Sequence, residues 1–419
     1  MKKIRIGILG GGRSATQGKS FLLAGADIVA LCDFHEERLQ NGLKKLGEGV
    51  TPYRNFDDFI EHDMDAVIIG NYFHEHAPYA IRCLRRGLHV YSECMSNGTM
   101  AEGVALVRTA EESKAIYMLG ENFPFMLFNL EMQRICREGT LGRILYAEGE
   151  YNHPVNPYDL EFHKNYIYTL DHWRNYTPRT YYLTHSLAPL MAATGATPKR
   201  VVAFPCFAPY GDDVPMARQY ADRASVMMTM NDDDSVFKFV GCSTFGAHGD
   251  SYRICGTDGQ VENLRGMGNT LMLRYNAWSK PEGMEEDNLM DLSWDKVDPD
   301  AELIKQTGHG GADYIIARYF LNCIKENRQP DMPYDVYSAT TMASVSILAH
   351  RSILDGGKPY DLPDFRKEED RKQYENDHLS PYYATDGTPP SFPCSSRPEY
   401  KASEAQLAKF RELVLEKKD

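Results

Sequence analysis

The pattern of hydrophobic and polar positions divides the chain into two parts. In the first part, short apolar runs alternate with amphipathic stretches of helical period, which predicts a parallel sheet covered by helices. We assign residues 1–122 to this first domain. The predicted strands are residues 4–9, 28–32, 66–69, 89–91 and 115–119, and the predicted helices are residues 14–23, 36–45, 56–61, 77–86 and 101–113.

Strand-like runs dominate the second part, residues 123–365. Few helical patterns separate them, which predicts an α+β domain built on a large, mostly antiparallel open sheet. Residues 366–419 are charged and rich in Pro and Ser, and we expect a tail that lies over the body or over a neighbouring chain and ends in a short helix at 404–415. The predicted strands are residues 144–151, 200–207, 225–230, 236–242, 252–255 and 271–275, and the predicted helices are residues 127–138, 187–193, 312–325 and 337–354.

Composition places the chain among soluble globular proteins. Its 419 residues exceed the usual size of one hydrophobic core, and 42% of them are hydrophobic and 25% charged. A formal net charge of −13 disfavours nucleic acid and anionic membranes as partners, and no apolar run is long enough for a signal peptide or a membrane span. The nine cysteines form no CxxC pair, which favours reduced thiols and a cytoplasmic location.

A glycine-rich turn follows the first predicted strand. In the motif Gly10-x-Gly12-x-x-Ala15 the glycines permit a tight turn and the close approach of a pyrophosphate, which the helix N-terminus then stabilises. Asp33 ends the second strand about 20 positions later, where a carboxylate accepts hydrogen bonds from an adenosine ribose and repels a 2′-phosphate. Asp33 could also cap the helix that follows it. The motif predicts a Rossmann domain that binds NAD in preference to NADP, so the fold class is α/β, a Rossmann domain followed by an α+β domain.

Polar residues follow the later strands, at the edge of a parallel sheet where ligands bind. A resemblance to a known family is carried by the glycine turn, the segment from Asn71 to His76, the strand entering Glu93 and the late GHGGADYIIARYFLNCI stretch. The chain resembles the Gfo/Idh/MocA (glucose–fructose oxidoreductase/inositol dehydrogenase) family over residues 4–365. That family usually has Glu-Lys-Pro where this chain has Glu93-Cys94-Met95, and its lysine relays a proton from the hydroxyl being oxidised. The missing lysine disfavours a plain dehydrogenase mechanism.

Further motifs resemble the NAD-dependent glycoside hydrolases of this superfamily, typified by bacterial α-N-acetylgalactosaminidases. The motifs are GENFPF, EGEYNHP, HWR, YYLTHSLAP and GHGGADY. Tyr182 and His185 keep the Tyr-x-x-His spacing of that branch, whereas Ser186 and Ala188 replace its glycines. The sugar and the anomer therefore stay open, with N-acetylgalactosamine as the leading precedent.

The resemblance implies a reaction with no net oxidation. Oxidation of the sugar 3-hydroxyl to a ketone acidifies the neighbouring C2–H, so the anomeric substituent leaves by elimination, water adds, and the stored hydride returns to C3. This scheme requires proton acids and bases and a group that polarises the ketone. Tyr182 and His185, one helical turn apart, are the predicted acid/base pair, and which of them takes which proton stays open.

The remaining predicted site residues come from strand ends and from the matching motifs. The residues expected to contact the substrate are Glu121, Tyr151, His153, Arg174 and His309, and those expected to bind the cofactor are Gly10, Gly12, Arg13, Asp33, Asn71, His76, Glu93 and Asn122.

Several side chains have a second interpretation. Glu121 could cap a helix instead of touching substrate, and Arg174 and Arg179 could meet an anionic group or be surface charges. The aromatic segment 151–173 could stack on a sugar or be a packed insertion.

Two motifs that invite chemistry are interpreted as structural. No base near Cys94 in the sequence would activate its thiol, so we expect a small filler beneath the nicotinamide. His74 and His76 lie two positions apart, do not face each other on a helix and lack the HExxH spacing, so we expect no metal.

Three functions follow, in this order of preference. The first is an NAD-dependent glycoside hydrolase. The second is an NAD-dependent sugar or polyol dehydrogenase in which His185 replaces the missing lysine. The third is a nucleotide-binding sensor without catalysis. We expect a small carbohydrate as the substrate and a homodimer or homotetramer, because the broad second sheet needs a cover.

Overall fold

The first half of the protein contains a parallel sheet, seen in a computed structural model that describes residues 3–416. Its elements are β1 (Arg5–Leu9), α1 (Arg13–Leu23), β2 (Asp27–Cys32), α2 (Glu36–Leu46), β3 (Thr51–Tyr53), α3 (Phe56–Phe59), β4 (Ala66–Ile69), α4 (His76–Arg85), β5 (His89–Ser92), α5 (Met100–Glu112) and β6 (Tyr117–Leu119). The strand order is β3-β2-β1-β4-β5-β6 with every pair parallel. The order reverses between β1 and β4, which opens a ligand crevice at the carboxyl ends of these strands.

The second half is built on a nine-stranded sheet with the order β14-β13-β12-β11-β7-β10-β9-β8-β15. All neighbouring strands are antiparallel except β7 and β10. Its elements are α6 (Leu127–Arg137), β7 (Ile144–Asn152), α7 (Leu160–Tyr166), α8 (Thr184–Thr194), β8 (Pro198–Phe207), β9 (Asp222–Asn231), β10 (Val236–Ser243), β11 (Gly249–Gly256), β12 (Gly259–Asn263), β13 (Thr270–Tyr275), β14 (Asp287–Asp291), α9 (Trp294–Val297), α10 (Ala301–Ile304), α11 (Ala312–Glu326), α12 (Val336–Leu354) and β15 (Tyr360–Asp361).

Two buried helices connect the sheets to the crevice. Helix α12 is buried along almost its whole length and contacts α5 and β6 on one side and β8 on the other. Helix α8 lies across β7, β10 and β11. Gly149 of β7 permits this close approach, because a Cβ there would lie 2.0 Å from the carbonyl oxygen of Ser186. The first turn of α8, which contains His185, is thereby held against the middle of the second sheet.

The tail lies over the body of its own chain. It contains α13 (Glu368–Lys372) and α14 (Glu404–Phe410), the latter continued by a π-helical turn, Arg411–Leu415. Arg351 of α12 forms a bidentate ion pair with Asp377 at 2.7 and 2.8 Å. Phe410 is fully buried in a small apolar cluster with Ile167 and Ala217. The tail therefore braces the segment that includes α7.

The predicted fold class is confirmed, including the mostly antiparallel second sheet. The domain boundaries at residues 122 and 365 stay predictions. The sequence patterns missed β3, β12, β14, β15, α7, α9, α10 and α13, all of them short. Strand β3 carries Pro52, which a sheet tolerates because β3 is an edge strand. Among the described residues, no helix is long and apolar enough to cross a membrane.

Candidate active site

A cavity of about 550 Å³ lies where the carboxyl ends of the parallel strands face the second sheet. Residues that follow β4 and β5 line one half, among them Asn71, Glu93 and Cys94. Tyr151 of β7 and Tyr182, which precedes α8, line the other half. Both domains therefore contribute to one site, as the crevice rule for open parallel sheets predicts.

The glycine-rich turn has the geometry of a dinucleotide site. Gly10 has φ +110°, and a Cβ there would lie 2.4 Å from the carbonyl oxygen of Gly70. Helix α1 begins at Arg13 without a side-chain cap, so its first N–H groups are free to bind an anion. Asp33 holds the turn, because its carboxylate accepts hydrogen bonds from the N–H groups of Gly11 at 2.7 Å and His35 at 2.8 Å.

Buried polar atoms without a hydrogen-bond partner lie around the carboxyl ends of β4 and β5. They are Ser14 Oγ, Asn71 Oδ1, His76 Nε2 and Glu93 Oε1. Burial lowers the pKa of His76 to about 4, and Nδ1 lies 2.9 Å from the carbonyl oxygen of Met95. Nδ1 therefore carries the proton, and Nε2 is left as an acceptor for a ligand. Orphaned donors and acceptors of this kind fit a polar ligand such as a nicotinamide ribose.

Asp313 of α11, which sequence reasoning did not single out, joins several predicted site residues. Its carboxylate accepts hydrogen bonds from Arg13 at 2.9 and 3.1 Å and from Asn122 at 2.7 Å, and His309 Nδ1 lies 3.2 Å away. Burial would raise the pKa of Asp313, but His309 and Arg13 lower it well below its usual range. Arg13 lines the cavity and also faces Glu93 at 3.5 Å, whereas the side chains of Asn122 and His309 contact Asp313. The cofactor contact of Asn122 and the substrate contact of His309 stay predictions.

The predicted acid/base pair lies in direct contact. Tyr182 Oη is 2.9 Å from His185 Nε2, and His185 Nδ1 is 2.8 and 2.9 Å from the two oxygens of Glu121. The ring of Phe123 stacks on the imidazole at 3.9 Å between centroids, which fixes the plane of the ring. The three residues form a relay in which Tyr182 faces the cavity and the other two lie behind it.

The pKa shifts of Glu121 and Tyr182 indicate which groups of the relay carry protons. Burial would raise the pKa of Glu121, but the His185 ring and hydrogen bonds from His185, Thr184 and the Phe123 N–H lower it overall. Burial also raises the pKa of Tyr182 well above its usual value. Glu121 is therefore an anion that accepts the Nδ1 proton, and Tyr182 is a neutral phenol that donates to Nε2.

Glu121 contacts protein groups on several sides. Its side chain has no exposed surface, and its carboxylate also accepts from the Phe123 N–H at 3.1 Å and from the Cys94 thiol at 3.2 Å. Its direct contact with substrate stays a prediction. Glu121 orients His185, as the third group of a catalytic triad orients its base.

Cys94 lies in the cavity wall as a protonated thiol. Burial raises its pKa well above the usual value, and the charges of Glu121 and Glu93 raise it further. A thiol without a nearby cation is a poor nucleophile. The predicted packing role of Cys94 agrees with this geometry.

The two other strand residues predicted to meet substrate reach the cavity. Tyr151 packs its ring edge against His185 at 4.8 Å, and His153 lies beside it with its ring 5.0 Å from that of His248. Burial lowers the pKa of His153, so its imidazole is neutral at pH 7.

The aromatic segment 151–173 covers the cavity. Phe162 and Tyr166 of α7 and Trp173 line it, and Trp173 stacks on Phe73 of the first domain with centroids 5.3 Å apart. Arg174 follows Trp173 and lines the cavity as predicted, with its guanidinium 4.3 Å from the Trp173 ring. The segment is therefore a packed insertion that presents aromatic surface to the ligand.

His74 is engaged in packing. Its ring stacks on Tyr382 of the tail with centroids 4.3 Å apart, and burial lowers its pKa to about 3. Within residues 3–416, no group of three or more His, Cys, Asp or Glu side chains is placed to hold a metal ion.

Comparisons with known proteins agree with this architecture. Residues 4–121 match the oxidoreductase family with an NAD-binding Rossmann fold, and residues 248–372 match the glycosyl hydrolase 109 C-terminal domain. Both parts of the chain are thus similar to Gfo/Idh/MocA proteins of the glycosyl hydrolase 109 branch. NAD is accordingly the cofactor of its Rossmann domain.

The relatives span most of the chain. Glycosyl hydrolase family 109 protein 1 of Bacteroides thetaiotaomicron is 24% identical over 408 residues, covering 88% of this chain and 85% of the relative. A family 109 protein of Shewanella baltica is 25% identical over 407 residues, covering 88% and 86%. Among solved structures, levoglucosan dehydrogenase in complex with NADH has a TM-score of 0.72 at 15% identity, covering 87% of this chain and 100% of that one. These solved structures share the fold.

Proposed function

We propose that this protein is an NAD-dependent glycoside hydrolase with no net oxidation of its substrate. The observation that carries the proposal is the relay Tyr182–His185–Glu121, whose tyrosine lines the same cavity as Cys94, the residue that stands where the wider family has a lysine. Similarity to family 109 glycosyl hydrolases over most of the chain supports the same activity.

The relay accounts for proton transfer at a sugar hydroxyl. NAD held at the glycine-rich turn of Gly10 and Gly12 would supply a reversible hydride acceptor for the carbon of that hydroxyl. Tyr182 takes the hydroxyl proton as its own proton passes to His185 Nε2, and the Glu121 carboxylate stabilises the imidazolium that results. The reverse transfer restores the neutral relay, so each turnover ends with the protons where they began.

The carbon acid next to the ketone needs a base on the same wall of the cavity. Tyr182 and His153 both line the cavity, and the imidazole of His153 is neutral at pH 7 because burial lowers its pKa. Because the relay already holds the hydroxyl proton at this stage, we propose that the His153 imidazole removes the C2 proton and passes it to the departing oxygen. Arg13 of the first domain pairs with Asp313 of α11 and so helps to keep the two halves of the site together.

A sugar dehydrogenase is the second candidate, because the same relay also removes a proton from a hydroxyl that is simply oxidised. A screen of nitrophenyl hexosides of both anomers separates the two, using protein loaded with NAD and no added redox acceptor. We expect nitrophenol release without accumulation of NADH. NADH formed in proportion to substrate, with the glycosidic bond intact, would establish the dehydrogenase instead.

We also propose self-association through the second sheet and a reducing compartment. Phe204 of β8 and Met228 and Met230 of β9 lie on its outer face and are 57%, 42% and 49% exposed. Contiguous exposed apolar side chains favour a protein interface. The nine free thiols favour the cytoplasm. Sedimentation velocity of wild type and Phe204→Asp tests the interface: we expect a dimer or tetramer that the substitution dissociates, and a wild-type monomer would refute it.

A further inference from the structure

Three arginines converge on the end of the cavity away from the cofactor half. Arg174, Arg179 and Arg218 all line it; the first two come from the connection between α7 and α8 and the third from the connection between β8 and β9. Burial raises the pKa of the nearby Cys242 thiol, while the charges of Arg179, Arg174 and Arg218 each act to lower it. All three arginines also contact Tyr220: Arg179 and Arg218 lie over its ring at 5.1 and 6.0 Å, and its hydroxyl donates to the carbonyl oxygen of Arg174 at 3.2 Å. The cluster therefore surrounds one short stretch of the cavity wall.

These guanidinium groups lack acidic partners. Among residues 3–416, no carboxylate forms an ion pair with Arg174, Arg179 or Arg218, although the chain has an excess of acidic over basic residues. Asp222, four residues after Arg218, accepts hydrogen bonds from Ser396 of the tail through its carboxylate. Glu93 is the acidic residue that lines the cavity, and it faces Arg13 in the other half.

The positive charges are held in place by weak neutral contacts. Arg179 donates to the carbonyl oxygens of Asp222 at 3.2 Å and Cys242 at 3.4 Å and lies over the ring of Tyr220 at 5.1 Å. Arg218 is only 9% exposed, and its Nε has no hydrogen-bond partner. A buried guanidinium N–H without an acceptor is costly, so it marks a position where a ligand oxygen is expected.

The cluster lies next to the catalytic relay. Cys242, which the arginines surround, donates its backbone N–H to the carbonyl oxygen of Tyr182 at 2.8 Å. A small sugar whose hydroxyl meets Tyr182 thus has its far edge near the guanidinium groups. Burial lowers the pKa of Arg174, and the charge of Arg218 lowers it further, which an anion between them would reverse.

We propose that the sugar of the substrate carries an anionic substituent and that Arg174, Arg179 and Arg218 bind its oxygens. This inference rests on the proposed glycosidase function and adds the substrate class. The shared chemistry is a carboxylate, sulfonate or phosphate group, since guanidinium forks suit the oxygens of all three. The 2′-phosphate of a dinucleotide is not the target, because that position lies at Asp33 on the first domain.

Matched nitrophenyl glycosides test the proposal with the NAD-loaded enzyme. The set has one sugar with a 6-hydroxyl, a 6-carboxylate, a 6-sulfonate or a 6-phosphate, in both anomers. We expect kcat/KM for at least one anionic member to exceed that of the neutral member by about 100-fold, because each charge-assisted contact is worth about 10- to 100-fold. The arm with the highest kcat/KM identifies the anion.

Variants assign the preference to the cluster. Arg218→Gln and Arg174→Gln should each reduce the ratio of anionic to neutral kcat/KM by about tenfold or more, and Arg218→Lys should restore part of it. Arg85→Gln, which removes an exposed charge from α4, is the matched control and should leave the ratio unchanged. Equal turnover of neutral and anionic glycosides, or an unchanged ratio in both Gln variants, would overturn the proposal.

Binding measurements separate this proposal from the glycosidase activity. Isothermal titration of the NAD-loaded protein with glucose, glucuronate, glucose 6-phosphate and 6-deoxy-6-sulfoglucose needs no turnover. Tighter binding of an anionic sugar, lost in Arg218→Gln, supports the anion site even if no glycoside is cleaved, an outcome that would reject only the glycosidase. Equal binding of all four sugars would reject the anion site.

Discussion

Replacing Glu121 with Gln is the sharpest test of the relay. The substitution keeps the size of a side chain that has no exposed surface and keeps an oxygen for the Phe123 N–H, but it removes the charge beside His185. The neutral amide no longer stabilises the imidazolium that forms when Tyr182 passes its proton inward. A hydrogen bond to a charged group contributes about 1.5–3 kcal/mol, which corresponds to about a 10- to 150-fold loss in kcat.

The assay is steady-state nitrophenol release, with the NAD dissociation constant measured in parallel. We expect kcat to fall while NAD affinity stays within about twofold, since Glu121 lies behind the cavity wall. Glu102→Gln is a matched control, because that carboxylate caps α5 and accepts from the N–H groups of Gly98 and Thr99, outside the relay. A Glu121→Gln enzyme with wild-type kcat would refute the role assigned to the carboxylate.

Three further predictions concern other parts of the molecule. Cys94→Ala should keep kcat within about tenfold of wild type, and iodoacetamide should not inactivate the wild type, because burial raises the pKa of this thiol. Loss of activity in either experiment would show that the thiol takes part in the reaction. Burial lowers the pKa of His350 to about 4 in the folded protein, whereas the same imidazole takes up a proton near pH 6.5 in the unfolded chain. The unfolded chain therefore binds the proton first, and the contribution of His350 to the free energy of unfolding is lost as the pH falls. In urea unfolding, the wild type should lose about 2 kcal/mol more of its free energy of unfolding between pH 6.5 and pH 5 than His350→Gln does. Equal pH slopes in the two proteins would contradict this prediction. Phe410→Ala should lower the free energy of unfolding by about 3–5 kcal/mol. It should also raise the KM for the sugar more than the NAD dissociation constant, because Phe410 supports the segment that carries α7; an unchanged KM would contradict the bracing role.

Local sequence patterns were sufficient for the first domain. The GxGxxA turn at Gly10 and the carboxylate of Asp33 have fixed geometric consequences, so their positions follow from spacing alone. The Tyr-x-x-His spacing likewise predicts that Tyr182 and His185 meet, although Tyr182 precedes α8 and does not lie within it.

The missed features depend on tertiary structure. Glu121 and Asp313 are far apart in sequence from the residues they orient, and only the packing of α8 and α11 against the first domain brings them together. Arg218 lies in a loop without a motif, so no spacing rule identifies it. Asp313 could have been predicted from the sequence, because it lies in the GHGGADY motif, four residues after His309.

The central claim is that a glycosidic bond breaks through a carbon acid next to a transient ketone. The most direct measurement is the deuterium content at C2 of the sugar released in D₂O by the NAD-loaded enzyme. The account predicts deuterium at C2 together with nitrophenol and no net NADH. Release of the sugar without deuterium at C2, with the Tyr182→Phe enzyme still active, would contradict it.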